Sequence, residues 1–327
     1  MDYVKLGRSG LEVSRLCLGC LSFGAPEEGS QPWALGEEAS RQFLKQALDS
    51  GINFFDTANV YSMGASEQVL GRALIDYARR DAVVIATKLW APMRPGPNSG
   101  GLSRKTIFDQ VDASLRRLGT DYIDLYQIHR ADPLTPREET LEALHDVVKA
   151  GKVRYLGAST MPAWEFMQML AIQERNSWTR FVSMQNYYNL IYREEEREML
   201  PLCAQNGIGV IPWSPLARGR LARPHNSGGT TRREQTDLMR SRLFDATEQI
   251  DRDVIGRLEH AAARRGVPMA EMALAWVFAN PAVTAPIIGV TKEGHLETAL
   301  GALSLILTEE EKRDLEHAYL PHPVLGH

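Results

Sequence analysis

Four side chains that can hold or transfer a proton lie in the first half of the chain, each near the end of a short apolar segment. Asp56, Lys88 and His129 terminate such segments, and Tyr61 follows Asp56 in the next loop. Short β-prone segments of this kind predict buried strands, and a charged residue at the end of one has left the core. If the strands are parallel neighbours, the carboxylate, ammonium, imidazole and phenol meet at one face of the sheet. We expect such a set to catalyse proton transfer.

The rest of the chain alternates between similar apolar segments and helical patterns. This alternation predicts parallel β/α units, and eight strands of this kind close into a (β/α)8 TIM barrel of the α/β class; an open doubly wound sheet is the alternative. The predicted strands span 15–19, 52–56, 83–88, 123–129, 153–159, 181–185, 208–213 and 285–290, and the predicted helices span 37–49, 66–80, 103–118, 136–150, 163–174, 194–206, 251–264, 269–279 and 308–319.

Two further segments complete the predicted organisation. Residues 3–14 form a short N-terminal β-hairpin that caps the barrel, and the polar residues 214–248 form a long loop, which in a compact domain is usually functional or mobile. No linker or low-complexity tract interrupts the alternation, so we expect residues 1–327 to form a single domain.

Composition excludes several classes of function. The chain has 37 Lys and Arg against 41 Asp and Glu, a net charge of -4, and no basic run interleaved with aromatic residues, so we expect no nucleic-acid and no membrane partner. It has neither an apolar run long enough for a membrane helix nor a signal-peptide pattern, which predicts a cytoplasmic protein. Cys17 and Cys20 form a C-x-x-C pair, which we interpret as small residues of a buried strand. We expect no metal site, because the histidines lack metal-ligand spacing.

Common nucleotide and hydrolase motifs are missing from the sequence. It contains no G-x-G-x-x-G, no phosphate-binding P-loop, no H-E-x-x-H and no G-x-S-x-G. The missing glycine fingerprint argues against a Rossmann-type dehydrogenase.

The order of several motifs resembles the aldo-keto reductase family over essentially the whole chain. These motifs are F-D-T-A-x-x-Y (55–61), A-T-K (86–88), Q-I-H-R (127–130), G-A-S (157–159), W-S-P-L-A-R-G (213–219) and P-I-I-G (286–289). Within the family, residues 191–197, the run that follows Trp213 and the P-H-P tail are similar to a bacterial YajO-like subgroup. The resemblance implies NADPH-dependent reduction of aldehyde or ketone carbonyls to alcohols.

The resemblance also implies a role for each of the four proton-transferring residues. Tyr61 is the general acid that protonates the carbonyl oxygen, Lys88 stabilises the phenolate, Asp56 orients Lys88, and His129 hydrogen-bonds the carbonyl oxygen. An unaided phenol is a poorly matched acid and base near neutral pH, and a neighbouring ammonium favours its ionised form.

The resemblance further assigns residues that bind NADP(H). The ring of Trp213 stacks on the nicotinamide, whose carboxamide is held by Ser159, Thr160 and Gln185. Ser214, Leu216 and Gly219 belong to the loop over the pyrophosphate. Gly289, Thr291, Lys292 and His295 open a helix near the adenosine 2'-phosphate, where Lys292 favours NADP(H) over NAD(H). This sequence has His295 where many members carry Gln, and Thr298-Ala299 where many carry Glu-Asn.

Two other functions stay open from the sequence alone. One is a subunit that binds NADP(H) as a redox signal without significant turnover, and the other is an aldolase-like enzyme in which Lys88 forms a Schiff base. Arg130, Arg218 and Arg220 suggest an acidic or phosphorylated carbonyl substrate, while Asn59, Trp90 and Tyr188 and the loops 21–36 and 91–101 are candidates for shaping the substrate pocket. The sequence predicts neither the oligomeric state nor the preferred direction of the reaction.

Overall fold

A computed structural model describes residues 1–29, 31–224 and 231–324. Its ten strands are β1 (Tyr3–Lys5), β2 (Glu12–Ser14), β3 (Cys17–Gly19), β4 (Phe54–Asp56), β5 (Val84–Leu89), β6 (Ile123–Ile128), β7 (Val153–Ser159), β8 (Phe181–Gln185), β9 (Gly209–Val210) and β10 (Ile287–Gly289). Its twelve α-helices are α1 (Glu37–Asp49), α2 (Ala65–Tyr77), α3 (Arg104–Leu118), α4 (Arg137–Lys149), α5 (Ala163–Arg175), α6 (Met199–Asn206), α7 (Arg232–Thr236), α8 (Met239–Phe244), α9 (Glu248–Arg265), α10 (Met269–Ala279), α11 (His295–Gly301) and α12 (Glu309–Glu316).

Eight of the strands form one parallel sheet that closes into a barrel. The strand order is β10-β3-β4-β5-β6-β7-β8-β9. The two edges meet because Thr284 N donates to Val210 O at 2.8 Å and Ile287 N donates to Pro212 O at 2.9 Å. The predicted (β/α)8 barrel is therefore confirmed, and these bonds exclude the open sheet.

Side-chain alternation along the strands separates two apolar layers. One layer fills the barrel and includes Phe54, Ala86 and Leu125, whereas the intervening Phe55, Ile85 and Tyr126 belong to the larger cluster that packs against the helices. Successive strand residues point to opposite faces, and in a barrel of parallel strands both faces are covered. This is why the strands appear in the sequence as nearly continuous apolar runs.

The N-terminal hairpin packs against the bottom of the barrel. β1 and β2 pair antiparallel, with Val4 opposite Val13. Leu6 and Val13 are buried in the inner cluster, and Arg8 N donates to Gly207 O at 2.8 Å, just before β9. The hairpin cap predicted from the sequence is confirmed, and it covers the end of the barrel opposite the strand ends that carry Asp56 and Lys88.

The prediction of one long loop over 214–248 is wrong where the structure describes it, and residues 225–230 lie outside the described part of the chain. This segment contains α7 and α8 and leads directly into α9, which begins at Glu248. Helix α7 starts with a capping box in which Thr231 Oγ1 accepts from Glu234 N and Glu234 Oε2 accepts from Thr231 N. Helices of five and six residues are too short to show an apolar period, so the sequence pattern missed them.

The predicted helix over 194–206 is divided in the structure. Its first part is a single 3-10 turn over Glu194–Glu196, and α6 begins only at Met199. The last predicted sheet segments are also shorter than expected, since β9 has two residues and β10 three.

All three cysteines are buried thiols. Cys17 lies in β3 and Cys20 directly after it, and Cys203 lies in α6. Burial raises the pKa of Cys17 and Cys20 well above the ordinary value and that of Cys203 to about 12. Since the thiolate is the reactive form, these residues are inert packing groups. The C-x-x-C pair is buried as expected, but only Cys17 lies in a strand, because Cys20 begins a 3-10 turn.

Among the described residues, no helix has the length and apolar character needed to cross a membrane. The cytoplasmic location expected from the sequence stays a prediction.

Candidate active site

The inner face of the barrel carries the proton-transferring residues at its upper end. Asp56 is the last residue of β4, Lys88 is the penultimate residue of β5, and His129 follows β6 directly. Asp56 has the same side-chain parity as Phe54, and Lys88 the same as Ala86, so both point into the barrel above its apolar filling. These side chains thus lie together at the face of the barrel where the strands end.

Lys88 is the centre of this group. Its side chain is 0% exposed, and its ammonium donates to Asp56 Oδ2 at 2.5 Å, to Thr57 O at 2.8 Å and to Tyr61 OH at 3.3 Å. Burial by itself lowers the pKa of Lys88, but the neighbouring Asp56 carboxylate, together with Tyr61, raises it above the ordinary value. A buried ammonium that uses its three donors in this way is held as a cation. This arrangement weighs against the Schiff-base role, which requires a neutral amine.

Two glutamine amides hold the second oxygen of Asp56. Gln127 Nε2 donates to Asp56 Oδ1 at 3.0 Å and Gln185 Nε2 donates to the same oxygen at 2.9 Å. Gln185 Nε2 also lies 3.3 Å from Gln127 Oε1, so the two amides are linked. The carboxylate is therefore fixed on both sides, by a cation on Oδ2 and by amide donors on Oδ1. Residues such as these, which lie behind the reacting groups, restrict their orientation.

Tyr61 and His129 lie side by side above Lys88. Their ring centroids are 5.8 Å apart and the rings are nearly perpendicular, at 78°. Burial, followed by the nearby charges of Lys88 and Arg130, holds the pKa of His129 well below its usual range. The imidazole is therefore neutral at physiological pH and presents one N–H donor rather than a second cation.

A cavity of about 950 Å³ opens above these four residues. It is lined by the exposed parts of Asp56, Tyr61 and His129, whereas Lys88 lies beneath them. Of the cofactor residues predicted from the sequence, ten line this cavity: Ser159, Gln185, Trp213, Ser214, Leu216, Gly219, Gly289, Thr291, Lys292 and His295. A single cavity thus joins the proton-transferring group to nearly all of the predicted cofactor residues.

Thr160 is the predicted cofactor residue that does not line the cavity. Its hydroxyl accepts from Trp213 Nε1 at 2.9 Å, and the Trp213 ring stacks on Tyr187 with centroids 4.4 Å apart and an angle of 22°. Ser159 Oγ donates to Gln185 O at 2.8 Å. The ring contact and the hydrogen bond to Thr160 fix the indole of Trp213. The half-buried Trp213 side chain borders the cavity.

The segment after Trp213 has an unusual backbone. Ser214, Ala217 and Arg218 have φ angles of +51°, +46° and +54°, in the left-handed region that is costly for residues with a Cβ. Such conformations persist only where the surroundings hold them. Here Arg218 Nη2 lies 2.5 Å from Asp237 Oδ2, an ion pair that connects this segment to the residues after α7. Asp237 also receives Arg233 Nε at 3.3 Å.

The predicted 2'-phosphate residues extend from Gly289, the last residue of β10, to His295, the first residue of α11. Gly289, Thr291 and Lys292 precede the helix, which begins at His295, and Thr291 N donates to His295 Nδ1 at 3.4 Å. Burial and the charge of Lys292 lower the pKa of His295. Lys292 is therefore the fixed positive charge of this wall.

Only some of the residues predicted to shape the substrate pocket line the cavity. Arg130 and residues of the 21–36 loop line the cavity, whereas Asn59, Trp90, Tyr188 and the 91–101 loop do not. Tyr188 is fully buried, and its hydroxyl contacts Glu196 Oε1 at 2.7 Å and Asn280 Nδ2 at 2.9 Å. It packs with α10 instead of facing the site.

Comparison with known proteins places the chain in a family. Residues 15–319 match the model of the aldo/keto reductase family. The chain belongs to the aldo/keto reductase family. The resemblance seen in the sequence motifs is thereby confirmed for residues that include all of the predicted site.

Three relatives of this aldo/keto reductase are named as a reductase or as putative dehydrogenases. Versiconal hemiacetal acetate reductase of Aspergillus parasiticus is 46% identical over 99% of this chain and 98% of its own. A putative aryl-alcohol dehydrogenase of Schizosaccharomyces pombe is 44% identical over 99% and 97%, and another of Saccharomyces cerevisiae is 40% identical over 97% of each chain. These names support an oxidoreductase that reduces carbonyl groups. All three are fungal, so the bacterial YajO-like subgroup stays a prediction.

Sequence reasoning missed two parts of this site. Gln127 is part of the Q-I-H-R motif. It is a polar residue at an inward-facing position of an apolar strand, and this pattern could have identified it as a site residue. The ion pairs of Asp237 with Arg218 and Arg233 had no such signal, because they depend on how α7 folds back over the cavity.

Proposed function

We propose that this aldo/keto reductase reduces aldehyde or ketone carbonyls to alcohols with NADPH, with Tyr61 as the general acid. The observation that carries the proposal is the contact set of Lys88, whose ammonium lies 2.5 Å from Asp56 and 3.3 Å from Tyr61 beneath a cavity that His129 also lines. The names of the fungal reductase and dehydrogenase relatives support it. The activity is carried by a single domain.

The roles of the side chains follow from their contacts. A bound reduced nicotinamide supplies the hydride that forms the new C–H bond. Tyr61 OH gives its proton to the carbonyl oxygen, and the adjacent Lys88 ammonium stabilises the phenolate that remains. Neutral His129 donates a hydrogen bond to the same carbonyl oxygen and orients the substrate. Asp56 keeps Lys88 charged and in place.

The residues of the cavity fit a nicotinamide dinucleotide phosphate. Trp213, packed on Tyr187, offers a flat ring in the same cavity that Gln185 lines, which is a suitable seat for the nicotinamide. Ser214, Leu216 and Gly219 offer a strained backbone segment for the pyrophosphate, and Lys292 offers a cation for the 2'-phosphate. Ser159, Thr160, Gly289, Thr291 and His295 complete this set.

The first test compares the wild type with Tyr61→Phe. Oxidation of NADPH is followed with a panel of aliphatic and aromatic aldehydes, dicarbonyls and ketoses. We expect turnover that falls at least about 100-fold in Tyr61→Phe, because a positioned general acid contributes roughly 10²- to 10⁴-fold. NADPH affinity, measured by calorimetry, should change little, which shows that the variant is folded. Tight NADPH binding by the wild type without turnover on any substrate would instead favour the redox-sensing subunit.

A second test addresses cofactor choice. In Lys292→Ala we expect the dissociation constant of NADPH to rise about 10-fold or more, while that of NADH changes little, because only NADPH carries the 2'-phosphate. Lys45→Ala is the control, since Lys45 lies on α1 and pairs with Asp49 at the surface. An equal loss of affinity for both nucleotides would contradict the assignment of Lys292.

A further inference from the structure

Several arginines line the cavity, and three of them pair with carboxylates. Arg218 and Arg233 both pair with Asp237, and Arg223 pairs with Glu234. In each case the partner belongs to α7 or to the residue that follows it. Each of these three arginines therefore has a carboxylate partner within the protein, although Arg218 and Arg233 share the one carboxylate of Asp237.

Arg130 also lines the cavity, and it differs from these arginines. Its Nη1 donates to the backbone carbonyl of its neighbour His129 at 2.6 Å. Over residues 1–29, 31–224 and 231–324, no carboxylate forms an ion pair with it. Burial, together with the nearby charge of Arg242, lowers the pKa of Arg130, although Tyr61 acts in the opposite direction. A mostly buried guanidinium without an acidic partner is electrostatically costly, and an anion that binds next to it relieves this cost.

The position of Arg130 separates it from the proposed phosphate sites of the cofactor. It follows β6, whereas Lys292 and Thr291 follow β10. In the closed strand order β6 and β10 lie four places apart in a ring of eight, so they are on opposite sides of the barrel. Arg130 stands beside His129 and influences Tyr61 electrostatically. It is therefore on the side of the reacting carbonyl.

We propose that Arg130 binds an anionic group of the substrate, so that the preferred substrates are carbonyl compounds that also carry a carboxylate or a phosphate. A planar guanidinium suits both groups, because it can present two parallel N–H donors to two oxygens. This inference rests on the proposed carbonyl reduction and specifies its substrate class. Arg130 is a residue for substrate specificity, and the proton-transfer steps are assigned to other residues.

The test compares matched pairs of aromatic aldehydes. The first pair is para-carboxybenzaldehyde and its methyl ester, and the second is para-formylphenyl phosphate and para-methoxybenzaldehyde. For each pair, the ratio of kcat/KM values of the charged to the neutral member is measured in the wild type, Arg130→Gln and Arg130→Lys. We expect Arg130→Gln to lower this ratio about 10- to 100-fold, the size of a lost charge-assisted hydrogen bond, and Arg130→Lys to restore part of it. The pair with the larger drop identifies the anion.

Arg154→Gln is the matched control. Arg154 Nη1, like that of Arg130, donates to a backbone carbonyl, here Gly151 O at 2.9 Å, but it lies near the start of β7 at the opposite end of the barrel. We expect its charged-to-neutral ratio to equal that of the wild type. A ratio in Arg130→Gln that matches the wild type for both pairs would overturn the inference while leaving carbonyl reduction intact.

A binding measurement keeps the inference testable without turnover. Calorimetry with para-hydroxymethylbenzoate, the alcohol that carries the carboxylate, is performed on the wild type and Arg130→Gln in the presence of NADPH. Affinity that is at least about 10-fold weaker in the variant supports the anion site even if the aldehyde panel shows no reductase activity. Equal affinity in the two proteins overturns it.

Discussion

Gly157 of β7 lies directly opposite Gln127 of β6, and a Cβ atom at position 157 would come within 2.9 Å of Gln127 Cγ. The same atom would lie 2.5 Å from Ser183 Oγ on β8. The space that glycine leaves inside the barrel is therefore occupied by the side chain that donates to Asp56. We therefore expect the orientation of Asp56, and through it that of Lys88, to depend on the absence of a side chain at position 157.

Gly157→Ala tests this relationship. Because the neighbouring strands cannot move apart easily, we expect a loss of stability of about 1 to 3 kcal/mol, together with a fall in kcat that exceeds the change in NADPH affinity. The measurements are chemical denaturation and steady-state kinetics. Gly256→Ala is the control, because in the described part of the chain a methyl group there meets nothing within 4 Å beyond the neighbouring residues and backbone of α9; we expect this change to stabilise by up to about 1 kcal/mol. A Gly157→Ala protein as stable and active as the wild type would remove Gly157 from this role.

Glu195 provides a prediction about pH. The residue is 6% exposed, and burial raises the pKa of its carboxyl group to about 7. A carboxyl group whose pKa is higher in the folded than in the unfolded state binds more protons when folded, so its contribution weakens the fold as the pH rises from about 4.5 to about 7. In Glu195→Gln, which cannot ionise, we expect stability relative to the wild type to increase over this range, by roughly 1 to 3 kcal/mol at pH 8.

The measurement for Glu195 is chemical denaturation at several pH values between 5 and 8. Glu198→Gln is the control, since Glu198 lies three residues further on, between the 3-10 turn and α6, and is exposed. A stability difference between Glu195→Gln and the wild type that does not depend on pH would show that Glu195 is ionised throughout, or protonated throughout, in the folded protein.

The C-terminal tail reaches the cofactor wall through a series of rings. His322 Nε2 lies 2.8 Å from Asp251 Oδ1, and its ring meets Tyr192 edge-on at 6.3 Å. Tyr192 stacks on Tyr187 at 4.5 Å, and Tyr187 stacks on Trp213 at 4.4 Å. The last described residues of the chain are thus connected by direct contacts to the proposed seat of the nicotinamide.

His322→Ala should therefore affect both stability and cofactor binding. Loss of the hydrogen bond to buried Asp251 is expected to lower stability by about 1 to 3 kcal/mol, and loosening of the ring series should weaken NADPH binding several-fold. Thermal denaturation and calorimetric titration measure the two effects. His317→Ala, a change at an exposed histidine after α12, should do neither. If the stability falls while NADPH affinity is unchanged, the rings do not transmit the effect of the tail.

Much of the fold could be predicted because its signals are local. Apolar strands alternating with amphipathic helices are visible as periodicity, and Asp56, Lys88 and His129 stood out because each ends such a strand. The helices α7 and α8 could not be seen, since their stability comes from packing over the cavity and from ion pairs such as Arg218 with Asp237. The stack of Trp213 on Tyr187 was likewise invisible, because it joins residues brought together only by the closed barrel.

The closing seam of the barrel affects how the chain can be made. β3 is one of the first segments to leave the ribosome, yet its neighbour β10 is among the last. Until β10 arrives, both β3 and β9 present unpaired backbone groups, which can pair with another chain. A chain that ends after β9 but before residue 284 leaves such an open sheet. Truncated products of this protein are therefore expected to be aggregation-prone and to depend on chaperones, whatever the stability of the finished barrel.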